Sequence, residues 1–197
     1  AYGFGAKVNR YEFFSKLARL FPDKPYKGLG FIVNASMHDS KSYFGLNNYD
    51  GKQKTLYGNL IYQSIIGNTN HTYKAGLSYL LDNYNEQYND ILRTRNESVP
   101  GAFFEYTYNS LDKFVLVAGA RADFHNLYGT QWTPRLHLKY SLTDQTTLRA
   151  SAGKGFRVSN PLAEYYGNLV SSRTVVFRES IRPEVSWNYG ASVTQDF

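Results

Sequence analysis

The sequence predicts an all-β chain: an antiparallel transmembrane β-barrel segment of about nine strands. Three observations carry that prediction. Hydrophobicity alternates with a period of two almost throughout, the alternating runs are long, and short polar turns alternate with longer connections. The composition agrees: 18 Tyr and 13 Phe in 197 residues, with a mean hydropathy of −0.47, fit strands that are apolar on one face only. No stretch approaches the about 18 consecutive apolar residues of a spanning helix, which leaves a barrel as the membrane solution.

The first strand is expected near residues 4 to 21. In residues 29 to 37, Leu29, Phe31, Val33, Ala35 and Met37 alternate with Gly30, Ile32, Asn34 and Ser36. A third strand is expected at 53 to 66. Residues 73 to 82 repeat the pattern, with Tyr73, Ala75, Leu77, Tyr79 and Leu81 against Lys74, Gly76, Ser78 and Asp82. Further strands are expected at 100 to 109, 113 to 125, 131 to 141 and 146 to 157. The last is the clearest, with Val185, Trp187, Tyr189, Ala191 and Val193 opposed to Ser186, Asn188, Gly190, Ser192 and Thr194. Soluble sheets favour strands of about five or six residues, whereas a tilted spanning strand needs about nine to eleven.

Tight polar turns are read at PDKPYK (22 to 27), GNTN (67 to 70), NSLDK (109 to 113) and SLTDQ (141 to 145). Longer connections are read at 45 to 53, 83 to 100, 126 to 130 and 158 to 184. Short turns on one side and long loops on the other describe periplasmic turns and extracellular loops. The strand from Thr146 then rises outward, and Trp187 and Tyr189 face lipid. Parity lines the lumen with Lys74, Arg121, Asp123, Arg135, His137, Lys139 and Arg149, a mostly basic wall.

Other chemistries fare worse. The net charge of +6 comes from 22 Lys and Arg that are scattered rather than striped, against nucleic-acid binding. Cysteine is absent, which fits an unstapled envelope protein only weakly. The chain opens at Ala1 with neither an initiating Met nor a secretory signal, as a mature or shortened chain does. Gly153, Lys154 and Gly155 look like the start of a phosphate loop, but Lys154 is followed by Gly155 rather than Ser or Thr, and no helical period follows. His38 with Asp39, and Asp123 with His125, lack a third ligand at recognisable spacing, and Ser151 lacks a nucleophile-elbow context. Neither a cofactor nor a catalytic residue is expected.

The run WTPRLHLKYSLTDQTTLRASAGKGFRVSNPLAE (132 to 164), followed by RPEVSWNYGASVTQDF (182 to 197), resembles the barrel of TonB-dependent outer-membrane transporters. The residues that carry the resemblance are Gly155, Phe156, Arg157, Asn160, Pro161, Leu162, Glu164, Pro183, Glu184, Trp187, Tyr189 and Gly190. The spacing departs from the family's run by placing Val158, Ser159 and Asn160 before Pro161. RYEFFSKLARLFPDKPYKG and PGAFFEYTYNSLDKFVLVAGARADFHN fit the same barrel in the style of Bacteroidetes members, by pattern more than by motif. The resemblance implies a plugged barrel of about 22 strands, of which residues 1 to 197 supply an internal part, with no plug domain and no TonB box in this chain.

What the resemblance further implies is energised uptake of a scarce metal chelate such as a ferric siderophore, haem or cobalamin, or of a glycan, across a Gram-negative outer membrane. Its partners would be outer-membrane lipid, the plug and remaining strands, the TonB complex and, as a candidate, a substrate-binding surface lipoprotein. Residues 83 to 99 and 158 to 184 are the expected substrate-facing segments, with Tyr88, Arg93, Arg95, Tyr165, Tyr166 and Arg173 as aromatic and cationic contacts. Solvated loop side chains are the plainer account of the same six. Arg121, Arg135, Arg149, Arg157 and Glu164 are expected to face the lumen and plug, with Gly153 and Gly155 leaving room for it. The alternatives are a passive porin or small closed outer-membrane binding barrel, and a soluble all-β binding module.

Overall fold

The computed structural model describes residues 3–111, 113–170 and 176–196. Nine strands follow one another in the chain and in space: β1 (Phe4–Leu20), β2 (Gly28–Phe44), β3 (Asn47–Ile66), β4 (Asn68–Tyr88), β5 (Ile91–Ser110), β6 (Phe114–His125), β7 (Gly129–Ser141), β8 (Thr146–Arg157) and β9 (Glu184–Gln195). They form a single antiparallel sheet in the order β1 to β9, each hydrogen-bonded to its neighbours in sequence. The first and last strands do not pair with each other among the described residues, so the sheet is a partial barrel rather than a small closed one.

All nine expected strands are present, and the turn-side ends fall close to where the sequence placed them. The far ends do not. Residues 83 to 100 were expected as a long loop; instead β4 runs to Tyr88 and β5 starts at Ile91, so that only Asn89 and Asp90 turn the chain. Residues 45 to 53 likewise shrink to a turn at Gly45 and Leu46, and 126 to 130 to one ending before Gly129. β3, β4 and β5 reach 20, 21 and 20 residues, about twice the nine to eleven a bilayer requires. Their outer halves are hairpins standing clear of the membrane.

Register sorts the two faces. The partners Phe44↔Asn47, Tyr49↔Tyr88, Tyr88↔Ile91, Gly101↔Asp123, Arg135↔Gly153 and Gly153↔Asn188 lie on the inner face, and side chains two residues apart share a face. The outer face carries Leu17, Phe31, Leu60, Leu77, Phe104, Leu136 and Val193, all well exposed within this chain. So extended an apolar surface needs a nonaqueous neighbour. At the short-turn edge an aromatic belt runs across five strands: Tyr62 packs on Tyr73 (6.2 Å between ring centroids), Tyr73 on Phe104 (6.0 Å), His71 on Tyr108 (4.9 Å), Tyr108 on Phe114 (6.0 Å) and Phe114 on Tyr140 (6.3 Å). Such a belt marks a membrane–water interface.

The faces set different tolerances. Leu60→Arg, mid-band on the outer face, is expected to destabilise the folded barrel by about 2–4 kcal/mol, and Asn85→Arg, outward-facing but beyond the band, by about 0–1 kcal/mol. Urea titration of the full-length protein folded into lipid vesicles measures both.

Candidate functional site

The outer half of the inner wall gathers the buried groups. Phe44 ends β2, Tyr49 starts β3, and Tyr88 ends β4; all three are buried, and Leu162 and Leu169 pack on them, with Ile91 and Phe177 alongside. The last three belong to the excursion between β8 and β9 or face it. That excursion contains α1 (Pro161–Glu164) and a 3-10 turn over Tyr166–Val170, and it folds inward as a strap against the wall. Pro161 opens α1, where a missing N–H costs nothing, and the Glu164 carboxylate accepts from the Asn160 N–H at 2.7 Å.

Polar groups pin the strap. Asn160 Nδ2 donates to Glu86 Oε1 (3.1 Å), which also accepts from the Tyr49 hydroxyl (2.7 Å). Arg95 Nη1 donates to the Ser159 carbonyl (3.0 Å), and the Arg93 guanidinium lies 4.0 Å above the Phe177 ring. At the strap's base Arg157 holds Glu164 at 3.0 Å and Glu184 at 2.8 Å. A cavity of about 210 Å³ is left between strap and wall, lined by His38, Ser40, Tyr49, Gln53, Tyr84, Glu86 and Asn160 among others.

Deeper along the wall, charges pair in layers. Arg121 holds Asp123 at 2.6 Å and donates to Ser78 Oγ at 2.7 Å. Gly101 makes that layer possible, because a Cβ there would stand 2.4 Å from Asp123 Oδ1 and 2.7 Å from Ser78 Oγ. Arg135 pairs with Glu105, which Lys74 approaches to 3.5 Å. A second cavity of about 360 Å³ opens here, with Asn59, Phe103, Arg121, Thr133 and Arg135 in its lining.

Above these layers, beyond the apolar band, Asp82 accepts from Gln53 (3.0 Å), Thr55 (3.0 Å) and Tyr84 (2.9 Å). Burial, with Asp82 adding to it, pushes the Tyr84 phenol above its ordinary range. Arg95 Nε sits 2.6 Å from Glu97 Oε1 but off the donor direction, an ion contact more than a hydrogen bond. His125 is fully enclosed: its Nδ1 accepts from the Leu127 N–H (3.1 Å), so the ring is neutral with its proton on Nε2, 3.6 Å from Glu97 Oε2. Burial raises the Glu97 carboxyl above the usual carboxylate range, and Arg95 and His125 only partly offset it.

The expected contact residues therefore divide. Tyr88, Arg93 and Arg95 stand on strands rather than in a loop and are engaged in holding the strap. Tyr165 is 60% exposed on the strap. The side chain of Tyr166 and all of Arg173 lie outside the described residues. Of the expected lumen residues, Arg121, Arg135 and Arg157 find carboxylates within this chain, Glu164 pairs with Arg157, and Arg149 Nη1 donates to Thr194 Oγ1 (3.0 Å). Gly153 and Gly155 have only ordinary contacts 3.6 Å from a Cβ position, so nothing within this chain demands glycine there. His38 and Asp39 fall on opposite faces. Phe44, Tyr49, Glu86, Glu97 and Asn160 were missed; the one sequence signal for them was a strap with Leu162, Leu169 and Phe177 dispersed through a polar excursion.

A family model described as TonB dependent receptor-like, beta-barrel, matches residues 3–197. The probable TonB-dependent siderophore receptor PirA of Acinetobacter baumannii is 30% identical over 81 residues, 41% of this chain and 11% of that protein. Among solved structures, P. aeruginosa FpvA bound to heterologous pyoverdines superposes with a TM-score of 0.68 at 12% identity, covering 95% of this chain and 30% of FpvA. The alcaligin outer-membrane receptor FauA from Bordetella pertussis gives 0.64 at 15% identity, covering 81% and 31%. At such identities the superpositions establish the fold. The chain spans about a tenth of that curated relative and about a third of the solved receptors.

Two outcomes are expected of the strap and its wall. Leu162→Ala removes a fully buried anchor, so the amides of Glu164 and Tyr165 should lose at least roughly tenfold of their hydrogen-exchange protection while strand amides stay protected. Glu97 contributes stability that is fully present below the ordinary carboxylate value of about 4.3 and is lost as pH rises through its raised folded value. The thermal midpoint should thus fall across that window more steeply in the wild type than in Glu97→Gln, as scanning calorimetry in detergent would record.

Proposed function

Because the chain belongs to the TonB-dependent receptor β-barrel family, and so to the Gram-negative outer membrane rather than to the enzymes, we propose that it forms part of an importer for an iron–siderophore complex. The energy comes from the TonB complex acting on a plug domain that these 197 residues do not include. The observation that carries this reading is the match over nearly the whole sheet to a receptor barrel, in a chain whose inner wall is polar, layered with ion pairs and covered by a pinned strap. The names of the similar proteins favour a ferric siderophore over haem, cobalamin or a glycan.

Substrate enters from the hairpin side and meets the strap first. The cavity beneath it is smaller than the about 300–1,000 Å³ of ordinary ligand pockets, so binding requires the strap to shift. Tyr165 offers an exposed aromatic surface on the approach. Once Ser159 and Phe177 move away, Arg95 and Arg93 present cations to an anionic chelate. Tyr166 and Arg173 complete the proposed contact set from the same excursion.

The test is uptake of ⁵⁵Fe-labelled siderophores by cells carrying the full-length protein as their only receptor, with and without a protonophore. Saturable uptake that stops when the proton-motive force collapses is the expected result, with Arg93→Ala plus Arg95→Ala raising the half-saturation concentration at least about tenfold. Uptake that continues without the proton-motive force and rises linearly with concentration would mean a passive pore.

A further inference from the structure

The outward face of β1, β2 and β3 changes character where it leaves the apolar band. The last apolar outward residues are Tyr11 on β1, Met37 on β2 and Leu56 on β3. Beyond them come Lys7 on β1, Lys41 on β2, and Lys52 and Lys54 on β3, accompanied by Asp39 and Asp50. Lys7 and Lys41 are direct register partners, as are Lys41 and Asp50, and Asp39 and Lys52. None of the four lysines enters an ion pair among the described residues.

Like charges directly opposite one another on a sheet are destabilising in the protein alone. Here they border a groove of about 430 Å³ lined by Gly5, Ala6, Lys7, Lys41, Ser42, Tyr43, Asn48 and Asp50. Its form depends on Gly5, because the Tyr43 ring lies across that residue and a Cβ there would stand 2.4 Å from Tyr43 Cε1. Tyr43 is about half exposed and presents an apolar ring with a hydroxyl tip, the character of a residue at a lipid headgroup. The lysine stems are long enough to turn their ammonium groups back toward the membrane plane.

We propose that this groove is a headgroup site for a phosphorylated lipid of the outer leaflet. One phosphate sits between Lys7 and Lys41, beside Tyr43, and acyl chains run down the apolar face below Met37. Three features favour a lipid over a soluble anion: the cations face outward rather than into the lumen, they stand directly beyond the apolar band, and Asp50 in the groove discourages a free dianion that no acyl chain holds in place. The site is independent of which substrate the barrel carries.

Native mass spectrometry of the full-length protein in non-ionic detergent, titrated with bis-phosphorylated lipid A and with its fully dephosphorylated form, tests the proposal. The phosphorylated lipid should bind preferentially, with affinity falling roughly fivefold for each lysine removed in Lys7→Gln and Lys41→Gln. Lys7→Arg with Lys41→Arg should keep the binding, Lys113→Gln at a short turn should not change it, and 10 mM inorganic phosphate, about a physiological anion load, should not displace the lipid. Heat-modifiable gel mobility confirms that each variant is folded. Equal binding of the dephosphorylated lipid, undiminished binding by the folded double Gln variant, or displacement by phosphate alone would overturn it.

Discussion

Every other feature of this chain depends on one constraint: backbone N–H and C=O groups in hydrocarbon have no water to bond. Antiparallel neighbours satisfy them pair by pair, from β1–β2 through β8–β9. That requirement holds only within the bilayer, yet the ladders of β2 to β5 continue for about as far again outside it. At the tip of the β4–β5 hairpin, Asn89 takes a positive φ of 50° and bonds back to Asn47 and Asn48 on β3, which ties the projecting hairpins together. The continuous ladder is therefore also the scaffold on which the strap is pinned.

The two faces of the same strands meet opposite demands. Outside, apolar and aromatic side chains meet lipid and need no partners. Inside, charged groups stand in a confined space, where an unpaired charge is costly, and they answer by pairing across strands: Arg121 with Asp123, Arg135 and Lys74 with Glu105, Arg95 with Glu97. Most of the wall's basic residues are thus neutralised locally. Farther out, the inner wall becomes apolar at Phe44, Tyr49 and Tyr88, and the strap covers that patch with Leu162 and Leu169. A small hydrophobic cluster, edged by Glu86 and Asn160, is what holds the excursion inside rather than out in solvent.

The strand periodicity and the short turns were legible because lipid imposes a strict outward rule: Phe31, Val33, Ala35 and Tyr73, Ala75, Leu77 must be apolar, and their neighbours need not be. The extensions of β3, β4 and β5 were not legible, because above the bilayer both faces are polar. In Asn83, Tyr84, Asn85 and Glu86 the contrast between faces disappears while the hydrogen bonds persist. Tyr88, Arg93 and Arg95 were rightly singled out as chemically conspicuous, but their packing against Leu169, Phe177 and Ser159 joins residues more than sixty positions apart, which no local pattern records.

The sequence by itself thus determined the all-β class, the number of strands, the sidedness of the turns and which face meets lipid. Those properties follow from the two-residue repeat of a pleated strand in a medium that accepts only apolar side chains. Tertiary structure alone decided the length of the hairpins, the inward course of the strap and the partner of each lumen charge. These depend on register, and register brings together side chains whose separation along the chain carries no information about their separation in space.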